Sequence, residues 1–240
     1  MQRMSNLNNP LSVMDIITTS WNLTKGVKGI IWIGVIILIA IMIGFHIVEA
    51  MLDSFPILPF AINTIGQIIS LLLQMGLFVI GINRATERPV HYQMLFFPFR
   101  LNLAYKLILL FLIQMIIFFV ILSLFILLIP FLVGSVGLSL ISILIGLALN
   151  LYFVIKMWLS LAYVLDQHEN PLSAIKHSFQ VTQGKFWRLT GLFFLSACIL
   201  FVSIIPLGLG LIWTIPWLFV LYGVIYTRLD PNLTQSKMPL

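Results

Sequence analysis

Apolar positions fall into three long blocks along this chain, residues 29–83, 107–155 and 189–227, none of which contains a lysine or arginine. A membrane-crossing helix needs roughly 20 consecutive apolar residues, so each block has room for two crossings joined by an uncharged turn. The pattern predicts spans at residues 30–51, 60–82, 105–129, 137–163, 188–205 and 208–227. Turn formers separate the members of each pair: Pro56 and Pro59 beside Glu49 and Asp53 in the first, Gly134 and Gly137 in the second, Pro206, Gly208 and Gly210 in the third. The expected fold class is all-α, a polytopic membrane protein with six transmembrane helices arranged as three parallel hairpin repeats.

The repeat has its own punctuation. Pro10, Pro89 and Pro171 each open a moderately polar segment that leads into an apolar pair, which divides a single membrane domain into units of residues 1–84, 85–166 and 167–240. Asn9-Pro10-Leu11-Ser12 recurs as Asn170-Pro171-Leu172-Ser173, and the run Ser20 to Gly26 recurs as Ser178 to Gly184. All three pairs enter from one side, so the repeat is parallel and not inverted. The second unit matches weakly, and Pro98 is expected to interrupt a helix there because it lacks an N–H.

The polar segments predict short amphipathic helices at the cytoplasmic interface. Leu172, Ile175 and Phe179 recur at helical spacing, as do Val13, Ile17 and Trp21, so each helix is expected to bury that face among acyl chains and other helices. Pro171 suits a first turn and Gly184 the left-handed residue that ends it. Ala174, Ser178 and Thr182 form a second row at i, i+4 and i+8, where small side chains allow another helix to approach and hydroxyls can bond across. This row is a candidate contact for a lipid headgroup or a partner protein.

Composition removes the alternatives. With 61% hydrophobic and 8% charged residues and a mean hydropathy of +1.12, the chain cannot form a water-soluble core. Six spans and their connections also use up its 240 residues, leaving no room for an appended soluble enzyme domain. A net charge of +6 could suggest nucleic acid, but twelve of the thirteen basic residues lie between or outside the apolar blocks and no nucleic-acid-binding motif accompanies them. The expected partners are anionic lipid headgroups at the cytoplasmic face, with a protein partner or a second copy also possible, and no nucleic acid. Because Lys and Arg mark the cytoplasmic side, both termini are expected there. The first residues are too polar for the core of a signal peptide and are expected to stay attached. Cys198 is the only cysteine and sits in an apolar run, a packing position that offers no internal disulfide and no cysteine-based metal site.

The run Trp158 to Asp166, followed by Pro171-Leu172-Ser173-Ala174, Ser178, Thr182, Gly184, Phe186 and Trp187, resembles a group of uncharacterised bacterial inner-membrane proteins similar to the membrane domain of some glycerophosphoryl diester phosphodiesterases. The first unit shares Ser20, Thr24 and Gly26 of this pattern but has Ile16 where Ala174 stands. The resemblance implies a bacterial plasma membrane and a role near the envelope or its lipids. It does not imply phosphodiesterase activity, which belongs to a separate soluble domain. Mitochondrial carriers also have three two-span repeats, but the charges their signature places around proline are missing near Pro130, Pro206 and Pro216.

Polar groups at depth are few. Asn63, Gln67 and Gln74 fall on nearly one face of the second span, Gln114 lies on the third, and Asn150 and Lys156 on the fourth. They are expected either to bond between helices or to line a narrow polar path. Lys156, with no carboxylate within a turn or two, is expected to snorkel towards a belt of Tyr152, Trp158 and Tyr163, or to act as counter-ion to a lipid phosphate or anionic solute. His46, Glu49 and Asp53 read as a solvated acidic rim more than as a metal site. Asp166, His168 and Glu169 read as negative charge offered to a helix N-terminus. No HExxH, GxSxG or glycine-rich phosphate loop is present, and no carboxylate lies within a span to serve as general acid or base. The expectation is a non-catalytic membrane protein without cofactors, concerned with envelope or lipid organisation, the alternative being a small transporter or channel for a lipid or small anionic solute.

Overall fold

The computed structural model describes residues 12–52, 57–129 and 134–230; Arg3, Pro10, Asp53, Pro56, Pro130 and Lys237 lie outside them. Every regular element among the described residues is helical. Nine α-helices follow in order: α1 Val13–Thr24, α2 Lys28–Met51, α3 Leu58–Ala85, α4 Leu101–Leu122, α5 Val136–Met157, α6 Ser160–Gln167, α7 Pro171–Val181, α8 Phe186–Ile204 and α9 Leu211–Leu229. A 3-10 helix, Tyr92–Phe99, precedes α4, and a π-helical turn, Ser123–Leu128, follows it. Pro98 lies inside that 3-10 helix, the tighter form standing where an α-helix was expected to be interrupted.

Six helical stretches are long and apolar enough to cross a membrane: Lys28–Met51, Leu58–Ala85, Leu101–Leu127, Val136–Gln167, Phe186–Ile204 and Leu211–Leu229. Each falls on an apolar run read from the sequence. The fourth is not continuous, because α5 and α6 are separated by a turn at Trp158–Leu159.

The described chain forms two compact units, one drawing on Met1–Ala104 and Thr190–Leu240, the other on Tyr105–Leu189. In the first, α2 and α3 make an antiparallel hairpin in which Gly34 faces Leu77 and Gly66 faces Phe45. Further along, α3 carries glycines where other backbones come close. A Cβ on Gly76 would stand 2.2 Å from the carbonyl oxygen of Leu95 in the 3-10 helix, and one on Gly81 would stand 2.0 Å from that of Phe219 in α9. From the other side, a Cβ on Gly223 would meet the Gly81 oxygen at 2.4 Å. Glycine at each crossing removes the side chain that would hold the helices apart. Phe78 then packs edge-on against both Phe219 and Tyr222.

The first turn of α9 is tied to the first turns of α2. Trp32 Nε1 donates to the Ile212 carbonyl at 3.0 Å, and the Lys28 ammonium lies 5.5 Å from the centre of the Trp213 ring. Gly81 is level with those same α2 turns across the hairpin. The charge pattern, by contrast, puts the starts of α2 and α9 on opposite faces.

Helix α1 lies on α9. The apolar row expected to lie among acyl chains and other helices, Val13, Ile17 and Trp21, is half-buried to exposed within the protein, while Ile16, Ser20 and Thr24 are covered by it. In the second unit α7, packed on α6 and α5, does the same: Leu172 is exposed, Ile175 and Phe179 are half-buried, and Ala174, Ser178 and Thr182 are covered. The reason is close approach. Thr24 and Thr182 each return their hydroxyl to the carbonyl of the serine one turn earlier, at 2.7 Å, so the polar row can be buried without losing bonds. Gly26 and Gly184 both adopt positive φ, +97° and +71°, and release the chain into the long helix that follows.

Candidate functional site

Within the second unit the polar side chains of the long helices are drawn to irregular backbone. Where α5 gives way to α6, the Met157 carbonyl accepts from the Ser160 hydroxyl and from Gln114 Nε2 at 3.4 Å, and the same Gln114 nitrogen donates to Ser160 Oγ at 3.0 Å. One turn of π-helix similarly frees the Phe125 carbonyl, which takes the Ser142 hydroxyl at 3.0 Å. Gly146 faces Phe125 so closely that a Cβ would stand 2.4 Å from the phenylalanine Cβ, and Asn150 Nδ2 donates to the Gly146 carbonyl at 3.1 Å. In an apolar medium an unpaired carbonyl costs several kcal/mol. Gln114, Ser142 and Ser160 are the partners that make the breaks tolerable, whereas Asn150 bonds within a regular stretch of α5.

Two of them also share a recess. Gln114 and Asn150 line a cavity of about 150 Å³ together with Ile117, Phe118, Phe153, Val154, Met157, Trp158 and Leu161. Lys156 does not line it. That side chain, 6% exposed, keeps its ammonium 5.8 Å from the centre of the Tyr152 ring, and its backbone carbonyl accepts from Ser178 of α7. No carboxylate pairs with it among the described residues. Of the expected aromatic belt, Tyr152 reaches the surface and packs on Phe186, but Tyr163 is fully buried with its ring 5.0 Å from that of His177. Tyr163 is therefore a core residue, because α7 folds back over the face that would have pointed to the interface.

The acidic cluster between α6 and α7 is engaged side chain to side chain. Glu169 Oε1 lies 2.7 Å from His177 Nδ1, and Lys106 donates to the His168 carbonyl at 2.6 Å. Glu169 thus binds across the α7 helix face as well as standing near its start.

In the first unit, Asn63 Nδ2 donates to both Glu49 oxygens, at 3.1 and 3.0 Å, joining α3 to α2; His46 Nδ1 lies 3.3 Å from Glu49 Oε2, and Gln67 Nε2 donates to Asn63 Oδ1 at 3.5 Å. The rim expected to be merely solvated is a hydrogen-bonded clasp between two helices. Gln74 is exposed and makes no hydrogen bond among the described residues. No group of three metal-ligating side chains occurs among them either. Ser142 and Ser160 were not singled out from sequence, since a serine in an apolar run carries no signal until the helix irregularity it serves is known. Comparison of the chain with profiles of protein families, with characterised proteins and with solved structures finds no match.

Proposed function

We propose that this chain is a non-catalytic integral protein of the bacterial inner membrane, with both termini cytoplasmic, that organises lipid or envelope components through a basic cytoplasmic face. The observation that carries the reading is where the polar groups of the long helices go. Gln114, Ser142, Asn150 and Ser160 are committed to backbone carbonyls, and Asn63 to a neighbouring helix, so each serves the fold. Neither a nucleophile–base pair nor a buried carboxylate faces the Gln114 cavity, and hydrolysis has no acid or base there.

Three like-oriented hairpins fit the order of the elements, although the tie of Trp32 to Ile212 brings the start of α9 nearer to the start of α2 than that arrangement implies. A short segment precedes each long pair: α1 before α2 and α3, the 3-10 helix before α4 and α5, α7 before α8 and α9. Each short segment also lies on the second long helix of the pair that precedes it in cyclic order, α1 on α9, the 3-10 helix on α3, and α7 on α5 and α6. The matching covered rows of α1 and α7 support the same repeat, as does the resemblance to phosphodiesterase membrane domains. Lipid headgroups, with a protein partner or second copy, are the partners this reading requires, and Lys156 is a candidate contact for a lipid phosphate.

The second reading, a small transporter or channel for a lipid or small anionic solute, is favoured by one observation, the joint lining of the 150 Å³ cavity by Gln114 and Asn150. Proteoliposomes decide between the two. The lipid-organising reading expects no protein-dependent flux of glycerol, phosphate or small carboxylates; a flux that Gln114→Leu removes would overturn it. Orientation is tested by Ser135→Cys in a Cys198→Ala background, which should react with impermeant reagents only from outside.

A further inference from the structure

A recess larger than the Gln114 cavity opens in the first unit. It measures about 450 Å³ and is lined by Trp21 of α1, by Cys198, Ile199, Val202 and Ser203 of α8, and by Gly210, Trp213 and Thr214 at the start of α9. That volume lies in the range of pockets that hold lipid- or drug-sized ligands. Its walls are overwhelmingly apolar. Both hydroxyls are spent internally, Ser203 on the Ile199 carbonyl at 2.7 Å and Thr214 on the Gly210 carbonyl at 3.2 Å.

The two ends of the recess differ in chemistry. At one end stands the indole of Trp213, whose N–H donates to nothing among the described residues, and over its ring sits the Lys28 ammonium, likewise without a hydrogen bond there. Two donors, one of them a full positive charge, thus meet at the start of α2, and no carboxylate is among the lining residues. At the other end the walls lead to the turn between α8 and α9, which contains no polar side chain from Ile204 to Trp213. Leu207 is 96% exposed at its tip, and the turn's N–H groups at Ile205, Leu207, Gly208, Leu209 and Leu211 all bond to carbonyls within the hairpin. A turn so built pairs its backbone groups internally and presents an apolar tip.

We propose that this recess is a binding site for an anionic phospholipid of the surrounding bilayer, its phosphate held by Lys28 and Trp213 and one acyl chain lying along the apolar wall between α8 and α9. The donor-only end selects an anion, the apolar walls select a hydrocarbon tail, and the tie between Trp32 and Ile212 sets the recess at the level where α2 begins. A headgroup at Lys28 also retains its cation–π partner, since the ring lies on one side of the ammonium and leaves the other open. The proposal rests on the membrane reading above and names its lipid class.

The test is tryptophan quenching by brominated phospholipids in mixed micelles of the full-length protein. Dibrominated phosphatidylglycerol should quench at several-fold lower mole fraction than dibrominated phosphatidylcholine with the same chains. Lys28→Gln should bring the two curves together, and Lys28→Arg should restore most of the difference. Val202→Trp, at a lining position 64% exposed, fills the recess without disturbing a buried contact and should weaken quenching by both lipids. Equal quenching of the unaltered protein by the two lipids, or a preference untouched by Lys28→Gln, overturns the headgroup assignment. Unchanged quenching of the native tryptophans in Val202→Trp overturns the tail assignment. Solute flux in proteoliposomes, which bears on the broader reading, is independent of these outcomes.

Discussion

Replacing Gly81 by alanine tests the closest helix crossing in the first unit. The added Cβ would stand 2.0 Å from the Phe219 carbonyl oxygen, where ordinary contact begins at 3.4 Å, so the two backbones must part by roughly 1.4 Å. Neither obstacle can swing aside, because the clash is with main chain on a helix that is itself fixed by Trp217 and Tyr222 in the core. A gap of 0.5–1 Å already forfeits a quarter to a half of a van der Waals contact, and overpacking of this kind costs about 1–3 kcal/mol. The expected result is a five- to hundredfold fall in the folded population, measured by reversible unfolding in a mixed-detergent titration followed by tryptophan fluorescence. Gly44→Ala is the control: it sits in α2 with nothing within 4 Å of its added Cβ and should leave the midpoint unchanged or raise it. If Gly81→Ala unfolds at the same midpoint as Gly44→Ala, the backbones do not approach as described and the crossing of α3 and α9 is wrong.

Other substitutions probe separate contacts. Trp217→Phe removes the buried indole donor to Ser20 Oγ at 2.8 Å and should cost about 1 kcal/mol, with a double-mutant cycle against Ser20→Ala giving a coupling of the same sign and of order 1 kcal/mol. Arg84→Met deprives the Leu23 and Lys25 carbonyls of their partner, at 2.8 and 3.1 Å, and should speed proteolysis between α1 and α2 several-fold while leaving total helicity by circular dichroism unchanged. Gln114→Leu leaves the Met157 carbonyl with Ser160 alone and should lower the unfolding midpoint by an amount equivalent to about 1 kcal/mol; no loss would mean that the break at Trp158 does not depend on the amide.

The apolar blocks made the six long helices legible, because a run without charge long enough to cross a bilayer has few other uses. The repeat of Ser20, Thr24 and Gly26 as Ser178, Thr182 and Gly184 was also visible in the residues. The face another helix approaches was legible too, as the small-residue row Ala174, Ser178 and Thr182, which the structure covers completely; what the residues did not show is which helices do the covering. In a lipid setting apolar side chains gain nothing by turning inward, and close backbone approach decides instead. The break at Trp158–Leu159 lacks a proline or glycine to announce it. Lys28 and Trp213 lie far apart in sequence, and only the folded chain brings them together. For Lys156 the nearness of Tyr152 was legible, whereas the burial of Tyr163 beneath α7 was not.

The contact between Ser20 and Trp217 spans 197 positions and joins the first helix to the last. While the chain is being made, α1 leaves the ribosome long before the helix that covers it, and its Ile16, Ser20 and Thr24 stripe waits uncovered until Trp217 has been made. Products truncated before Trp217 keep that stripe open, which gives cellular proteases a means of telling an unfinished copy from a complete one.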